Sequence, residues 1–176
     1  MDRKLVLHVP TIDELWYRER IMSDPATMAY NAGYDLGFDE YHNDTGCIDF
    51  PKEDWKDWYE YFVGNEPECF YAYLMRSEDN TFIGEVNVHS KNDDGIYEMG
   101  IVIEAGYRGR GYSIEGISLL LSHAFDKMKA VKVCNSFEAD RIAALKTHLA
   151  VGFEKTTEKY GIIEVEITRK MWEVHQ

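Results

Sequence analysis

The segment from Ile101 to Gly116 sets the strongest limit on what this chain can fold into. It begins as an apolar run typical of a buried strand, passes three glycines at 106, 109 and 111, and continues at once into a helical pattern. Glycine permits a sharp turn and leaves room for a ligand beside the backbone amides. Because the amides of a helix N-terminus bind anions, the segment predicts a phosphate or pyrophosphate site, to which Arg108 and Arg110 add charge.

Two familiar nucleotide motifs do not fit this turn. The dinucleotide fingerprint G-x-G-x-x-G, started at Gly109 and Gly111, requires glycine where Ile114 stands. A P-loop ends in Gly-Lys-Ser or Gly-Lys-Thr, and the chain contains neither sequence. What remains is the pattern R-x-x-G-x-S over Arg108, Gly111 and Ser113.

The flanking sequence predicts an order of strands and helices. Thr11 and Glu14 form a capping box that starts a helix, and Pro25 ends that helix. Gly152 is a C-terminal cap of a later helix. Strands are predicted over 4–9, 70–76, 81–90, 96–104, 131–134, 153–158 and 162–172, and helices over 12–22, 26–30, 51–62, 111–128 and 140–150, with a loop over 31–50. The run of consecutive strands favours a mixed sheet over a doubly wound one.

Composition narrows the function classes. The 176 residues are 45% hydrophobic, which predicts one globular domain spanning 1–176. The net charge of −13 disfavours nucleic acid and anionic membranes as partners and suits a cationic substrate. The sequence suggests no signal peptide and no transmembrane run, and its three cysteines form no C-x-x-C, so a cytoplasmic protein with reduced thiols is expected.

The glycine turn resembles a known family motif. R-x-x-G-x-S is similar to the Q/R-x-x-G-x-G/A motif of the GNAT-type N-acetyltransferases, with Ser113 in place of Gly or Ala. Residues 97–103, Tyr-Glu-Met-Gly-Ile-Val-Ile, match the strand that precedes the motif in that family, and Gly152-Phe153 matches a downstream feature. The sequence of residues 106–112, Gly-Tyr-Arg-Gly-Arg-Gly-Tyr, resembles that of the family branch that includes ribosomal-protein N-terminal and spermidine acetyltransferases.

The resemblance implies a fold and a cosubstrate. The fold is α/β (α+β): a mixed, mostly antiparallel sheet of six to seven strands, flanked by about four helices, with one splayed strand pair. The cosubstrate is acetyl-CoA, and no metal is implied. The backbone of Ile101, Val102 and Ile103 would pair with pantetheine like an added strand. The pyrophosphate would lie on the amides of Arg108, Gly109, Arg110, Gly111, Tyr112 and Ser113, with Asn135 as a further contact to CoA.

The implied chemistry is attack of an amine on a thioester. An amine with a pKa of about 10.4 is neutral in roughly one molecule per thousand or fewer at pH 7, so a base is needed. The resemblance places Glu98 in this role, in preference to Glu85 on the preceding strand. His148 occupies the position of a family tyrosine that protonates the leaving thiolate, and it is interpreted as that donor or as a solvent-facing helix residue. Where the family often has Asn, this chain has Asp140 and Arg141.

The acceptor is expected to be an amine of a small molecule or of a protein N-terminus. Its pocket is predicted from the 31–50 loop and the N-terminal helices, with Tyr34, Asp35 and Glu85 as contacts and Asp39, Glu40 and Tyr41 as weaker candidates. Two alternatives stay open: transfer of another acyl group from CoA, and a degenerate acetyl-CoA-binding sensor without turnover. A homodimer is possible.

Overall fold

The computed structural model describes residues 4–92 and 94–175. This part of the chain forms seven strands and six α-helices. The strands are β1 (Leu5–His8), β2 (Cys69–Arg76), β3 (Phe82–Asn92), β4 (Ile96–Ile103), β5 (Lys132–Glu138), β6 (Glu154–Lys159) and β7 (Ile162–Thr168). The helices are α1 (Trp16–Met22), α2 (Pro25–Met28), α3 (Trp55–Phe62), α4 (Tyr112–Asp126), α5 (Ile142–Val151) and α6 (Arg169–His175).

The seven strands form one sheet in the order β1-β2-β3-β4-β5-β7-β6. Strands β4 and β5 are parallel, and the other neighbouring pairs are antiparallel. The parallel pair needs a long crossover, which α4 supplies together with the glycine turn. The predicted mixed, mostly antiparallel sheet is confirmed.

The two faces of the sheet carry different helices because side chains alternate along each strand. Tyr97, Met99 and Ile103 of β4 belong to a core with Ile117 and Leu120 of α4. On the opposite face, Val102 packs with residues of α1 and β2 in a second cluster: Tyr17, Ile21, Tyr71 and Tyr73. A ligand between β4 and β5 can therefore be reached from two chemically distinct sides.

Strands β4 and β5 pair over a short stretch and then diverge. Their register runs from Ile96 opposite Lys132 to Glu98 opposite Cys134. Beyond that point β4 stays paired with β3 as far as Ile103, while β5 stays paired with β7 as far as Glu138. The two strands thus form a fork that is closed at Glu98 and open toward the glycine turn.

Local signals in the sequence account for several boundaries. The Glu14 carboxylate accepts from the Thr11 amide at 2.8 Å, as a capping box requires. Helix α1 ends at Met22, ahead of Pro25. Gly152 ends α5 with φ 106°, a left-handed conformation that favours glycine.

The C-terminus differs from its prediction, because the expected strand over 162–172 ends at Thr168 and α6 follows it. The Thr168 hydroxyl accepts from the Met171 amide at 3.3 Å, and the buried Trp172 ring lies 6.4 Å from that of Phe125. Burying Trp172 against α4 favours the helix. The alternation of apolar residues over 162–172 predicts a strand throughout and does not distinguish this last turn. In the described residues no helix combines the length and apolarity that crossing a membrane requires.

Candidate active site

The glycine turn forms an open cradle ahead of α4. Gly109 and Gly111 have φ of 74° and 83°, and Gly111 is the N-cap residue of α4. A Cβ added at Gly106, Gly109 or Gly111 would meet no atom within 4 Å, so the space beside the backbone is open. No side chain caps this helix end, which leaves its first amides available to an anion. These features fit the pyrophosphate of an acyl-CoA.

The two arginines of the turn differ in what they contact. The Arg108 guanidinium donates from Nε to the Ile103 carbonyl at 3.0 Å, and its other nitrogens donate to the carbonyls of Ala26 and Thr27. Arg110 is exposed, with its guanidinium 5.7 Å from the Tyr107 ring. The side chain of Arg108 therefore ties the turn to the protein, and that of Arg110 is the one available to phosphate.

Replacing Gly111 by alanine is expected to weaken CoA binding about fivefold to thirtyfold. A side chain in the left-handed region costs roughly 1–2 kcal/mol, so we expect the free turn of the variant to relax and CoA binding to supply the cost of restoring it. Space is not the obstacle at this position. Gly106→Ala is the matched control, since Gly106 lies in the same turn, has equal space and has no positive φ. Calorimetric titration with CoA measures both. Equal losses in the two variants would contradict the assignment.

The fork leaves part of the β4 backbone without a strand on its β5 side. Ile101, Val102 and Ile103 lie in this part, which leads directly into the glycine turn. An extended ligand with amide groups can pair there as an added strand. The pantetheine arm of CoA has that chemistry, so the fork and the turn together match one ligand.

Asn135 and His148 are brought together on β5 and α5. His148 is 2% exposed; its Nδ1 is 2.8 Å from the Ala144 carbonyl and its Nε2 is 3.0 Å from the Asn135 amide nitrogen. Because a carbonyl can only accept, Nδ1 carries the proton and Nε2 accepts from Asn135. Burial lowers the pKa of His148, although the bond to Ala144 opposes this shift. The proton-donor role expected for His148 does not fit a neutral ring held in this way.

Glu98 lies at the closed end of the fork, on the face opposite α4. Its carboxylate is 3.4 Å from Lys91 Nζ, 3.7 Å from His89 Nε2 and 3.5 Å from the Ser136 hydroxyl. The side chain is 27% exposed and borders a cavity of about 270 Å³. Along the same face, a Cβ at Gly100 would lie 2.8 Å from the Asn87 amide nitrogen, so the glycine makes room for Asn87. Glu98 is thus a solvent-accessible carboxylate at the point where the strands part.

Glu85 is placed differently, in a buried polar cluster beneath α1. It is 2% exposed, forms an ion pair with Arg18 and accepts from the Tyr71 hydroxyl. Rings of Trp58, Phe50 and Tyr71 lie 4.6, 5.2 and 5.7 Å from the Arg18 guanidinium. Burial is the largest single influence on Arg18 and opposes its charge, but Glu85 and Tyr71 together outweigh burial and raise the pKa of Arg18. Both carboxylate oxygens of Glu85 are engaged within the protein, unlike those of an open substrate contact.

The two loop residues predicted for the acceptor pocket have separate environments. The Tyr34 hydroxyl donates to Asp140 at 2.7 Å, next to the start of α5. Asp35 is exposed and accepts from the Gly37 amide at 3.0 Å, within the loop itself. Tyr34 therefore contacts the β5 arm of the fork, while Asp35 shapes a turn. Both stay predictions as substrate contacts.

Residues 4–154 match the family model described as the acetyltransferase (GNAT) domain. The chain belongs to the GNAT acetyltransferase family. No curated sequence was similar enough to match.

Solved structures agree with this GNAT fold. A GNAT-family acetyltransferase from Bacillus anthracis is 15% identical with a TM-score of 0.72, covering 95% of this chain and 96% of its own. Spermidine N-acetyltransferase from Vibrio cholerae, in complex with CoA and spermine, is 14% identical with a TM-score of 0.76. The match covers 97% of this chain and 98% of that enzyme. The apo form of FdhC, a nucleotide-linked sugar GNAT, is 15% identical with a TM-score of 0.72. The match covers 98% of this chain and 90% of FdhC. At these identities the likeness establishes the fold alone.

Several residues around the site are not predicted as site residues by the sequence. Arg18 on α1 and Asn87 on β3 carry no local signal, because the residues they pack against, Glu85 and Gly100, lie on other elements. Tyr30 is predicted only as the last residue of the short helix over 26–30. Arg141 did carry a signal, because it stands where the family often has Asn.

Proposed function

We propose that this chain transfers the acetyl group of acetyl-CoA to a primary amine by direct attack. The observation that carries the proposal is the continuity of the β4–β5 fork with the open glycine cradle at α4. The fork fits the amide-bearing pantetheine arm, and the glycine cradle next to it fits a pyrophosphate. Membership in the GNAT family supports acyl transfer as the reaction class.

On the cosubstrate side, the chain supplies hydrogen-bond donors. Backbone amides from Arg108 to Ser113 hold the pyrophosphate, and the β4 edge at Ile101 to Ile103 orients pantetheine. Asn135 directs one amide hydrogen to His148 and has a second hydrogen to offer. We assign that second hydrogen to the thioester sulfur, where negative charge develops as the C–S bond breaks. His148 then acts by orienting Asn135.

On the acceptor side, Glu98 is the proposed base. It takes one proton from the ammonium ion, through water, so that the neutral nitrogen attacks the acetyl carbon. The C–N bond forms, the C–S bond breaks, and the nitrogen loses its remaining excess proton to water. The released thiolate takes a proton from solvent and leaves as free CoA thiol. Glu85 is not assigned to this step, since Arg18 and Tyr71 occupy its oxygens.

The preferred acceptor is a small cationic amine, with a protein N-terminus as the other candidate. The net charge of −13 attracts cations to the surface generally. The Vibrio cholerae enzyme of the same fold is a spermidine N-acetyltransferase solved with spermine, which supports a polyamine as the first compound to test.

Thiol release from acetyl-CoA tests the proposal. We expect turnover with at least one member of a panel of spermidine, short diamines, aromatic monoamines and peptides with free N-termini. Propionyl-CoA and succinyl-CoA in parallel determine the acyl group. CoA itself should stabilise the fold, by about 2.7 kcal/mol at 100 times its Kd. Stabilisation without turnover on any amine would favour the sensor alternative, and the absence of stabilisation would refute CoA binding.

A further inference from the structure

Residues 26–34, here called the bridging segment, contact both arms of the fork near its open end. The segment runs from α2 through a 3-10 turn at Ala29–Asn31 into the following loop. Its contacts reach the end of β4 on one side and the start of α5, directly after β5, on the other. It therefore joins two strands that have no hydrogen bonds to each other beyond Glu98 and Cys134 in the described residues.

The attachment to the β4 arm is a set of polar contacts around Thr27, which is fully buried. The Thr27 hydroxyl accepts from the Ala105 amide at 3.1 Å. The Arg108 guanidinium donates to the carbonyls of Ala26, at 3.3 Å, and of Thr27. Next to these, Arg20 donates to Glu104 at 2.9 and 3.1 Å. The glycine turn and the start of the bridging segment thus form one connected unit.

The attachment to the β5 arm centres on Arg141. Its guanidinium carbon lies 5.0 Å from the Tyr30 ring and 5.1 Å from the Tyr34 ring. It also donates to the Asn31 side chain at 3.4 Å, and its Nε is 2.5 Å from Glu138. The Tyr34 hydroxyl adds a bond to Asp140 at 2.7 Å. Arginine suits this place, since a planar guanidinium binds rings and oxygens at once.

Tyr30 is the residue within reach of both arms. Its ring lies 5.0 Å from the guanidinium carbon of Arg141 and 6.0 Å from that of Arg108. Both distances fall within the range of cation–π attraction. One aromatic ring therefore contacts a cation from the glycine turn and a cation from the start of α5.

We propose that Tyr30 and Arg141 are positioning residues that hold the fork at the width needed for the pantetheine arm. The proposal rests on the proposed function, because it takes CoA as the ligand of the fork. A fork already held open at the right width does not have to be ordered when CoA binds, and ordering costs affinity. At the start of α5, where the family often has Asn, Arg141 supplies a side chain long enough to reach the bridging segment.

Substitutions at Tyr30 test the role of the ring. Tyr30→Leu removes it, and we expect the Kd for CoA to rise about three- to tenfold, as for the loss of one ordered side-chain contact. The KM for acetyl-CoA should rise by the same factor while kcat changes less than about twofold. Tyr30→Phe is the matched control, because it keeps the ring and loses the hydroxyl, and it should bind CoA like the wild type.

Arg141→Ala completes a double-mutant cycle with Tyr30→Leu. If the two side chains act through their mutual contact, the double variant should lose less CoA affinity than the sum of the single losses. Melting temperatures of all variants are measured alongside, because a merely structural contact would lower stability and leave the Kd of the folded protein unchanged. An unchanged Kd in both single variants, or full additivity, would overturn the proposal. Failure of the wild type to bind CoA would instead refute the proposed function.

Discussion

The Glu98→Gln variant is expected to lose about 100- to 10,000-fold in kcat at pH 7, the usual contribution of a positioned base. The reason is the protonation state of the acceptor, since an amine with a pKa of about 10.4 is almost entirely charged at that pH. Glu98 is the carboxylate at the closed end of the fork that borders an open cavity. Glutamine keeps the shape of Glu98, but it loses the charge that pairs with Lys91 and cannot take up a proton.

The pH profile separates loss of a base from loss of binding. Without Glu98, the rate should follow the fraction of free amine and rise about tenfold per pH unit between pH 7 and 9. The wild-type rate should rise less steeply over this interval. Glu164→Gln is the matched control, because Glu164 borders the same cavity and its carboxylate accepts from the Thr157 hydroxyl at 3.0 Å. A comparable loss in both variants, or a normal rate in Glu98→Gln, would remove Glu98 from the mechanism.

The backbone of the proposed cosubstrate half could be predicted because its determinants are local. Positions 109 and 111 favour glycine because their φ is positive, and the helix that follows has a clear apolar periodicity. The strand into the turn and the turn itself are contiguous in sequence. A pattern of a few residues therefore specifies a backbone conformation, and the proposed anion site depends on this conformation.

The other half depends on contacts between distant segments. Strand periodicity predicts Glu85 and Glu98 as two sheet carboxylates, and the family resemblance prefers Glu98 as the base. The difference in their environments comes from Arg18, 67 positions away from Glu85. The same holds for His148, whose burial beside Phe137 and Phe153 brings it to Asn135. Periodicity predicts which face a residue occupies but not which side chain meets it there, so these roles emerge from the tertiary structure.

The Arg18→Met variant is expected to lower the free energy of unfolding by about 3–5 kcal/mol, the cost of leaving one member of a buried ion pair without its partner. Glu85 would keep the Tyr71 hydroxyl but lose the cation that neutralises it. Burial, and next to it the Glu85 carboxylate, raise the pKa of Tyr71, so this phenol stays protonated and remains a donor. The Glu85 side chain is only 3% exposed, so one hydrogen bond does not replace the guanidinium beside it.

Urea unfolding of Arg18→Met beside Arg20→Met measures this cost within a single helix. Arg20 also pairs with a carboxylate, that of Glu104, but its side chain is 51% exposed, so its loss should cost less than about 1 kcal/mol. Adding Glu85→Met to Arg18→Met removes the stranded charge and should recover part of the stability, since apolar replacements of a buried pair are often tolerated. Equal costs for the two arginines would mean that Glu85 is hydrated in the folded protein. No recovery in the double variant would instead assign the loss to the packing of Arg18 against Trp58 and Phe50.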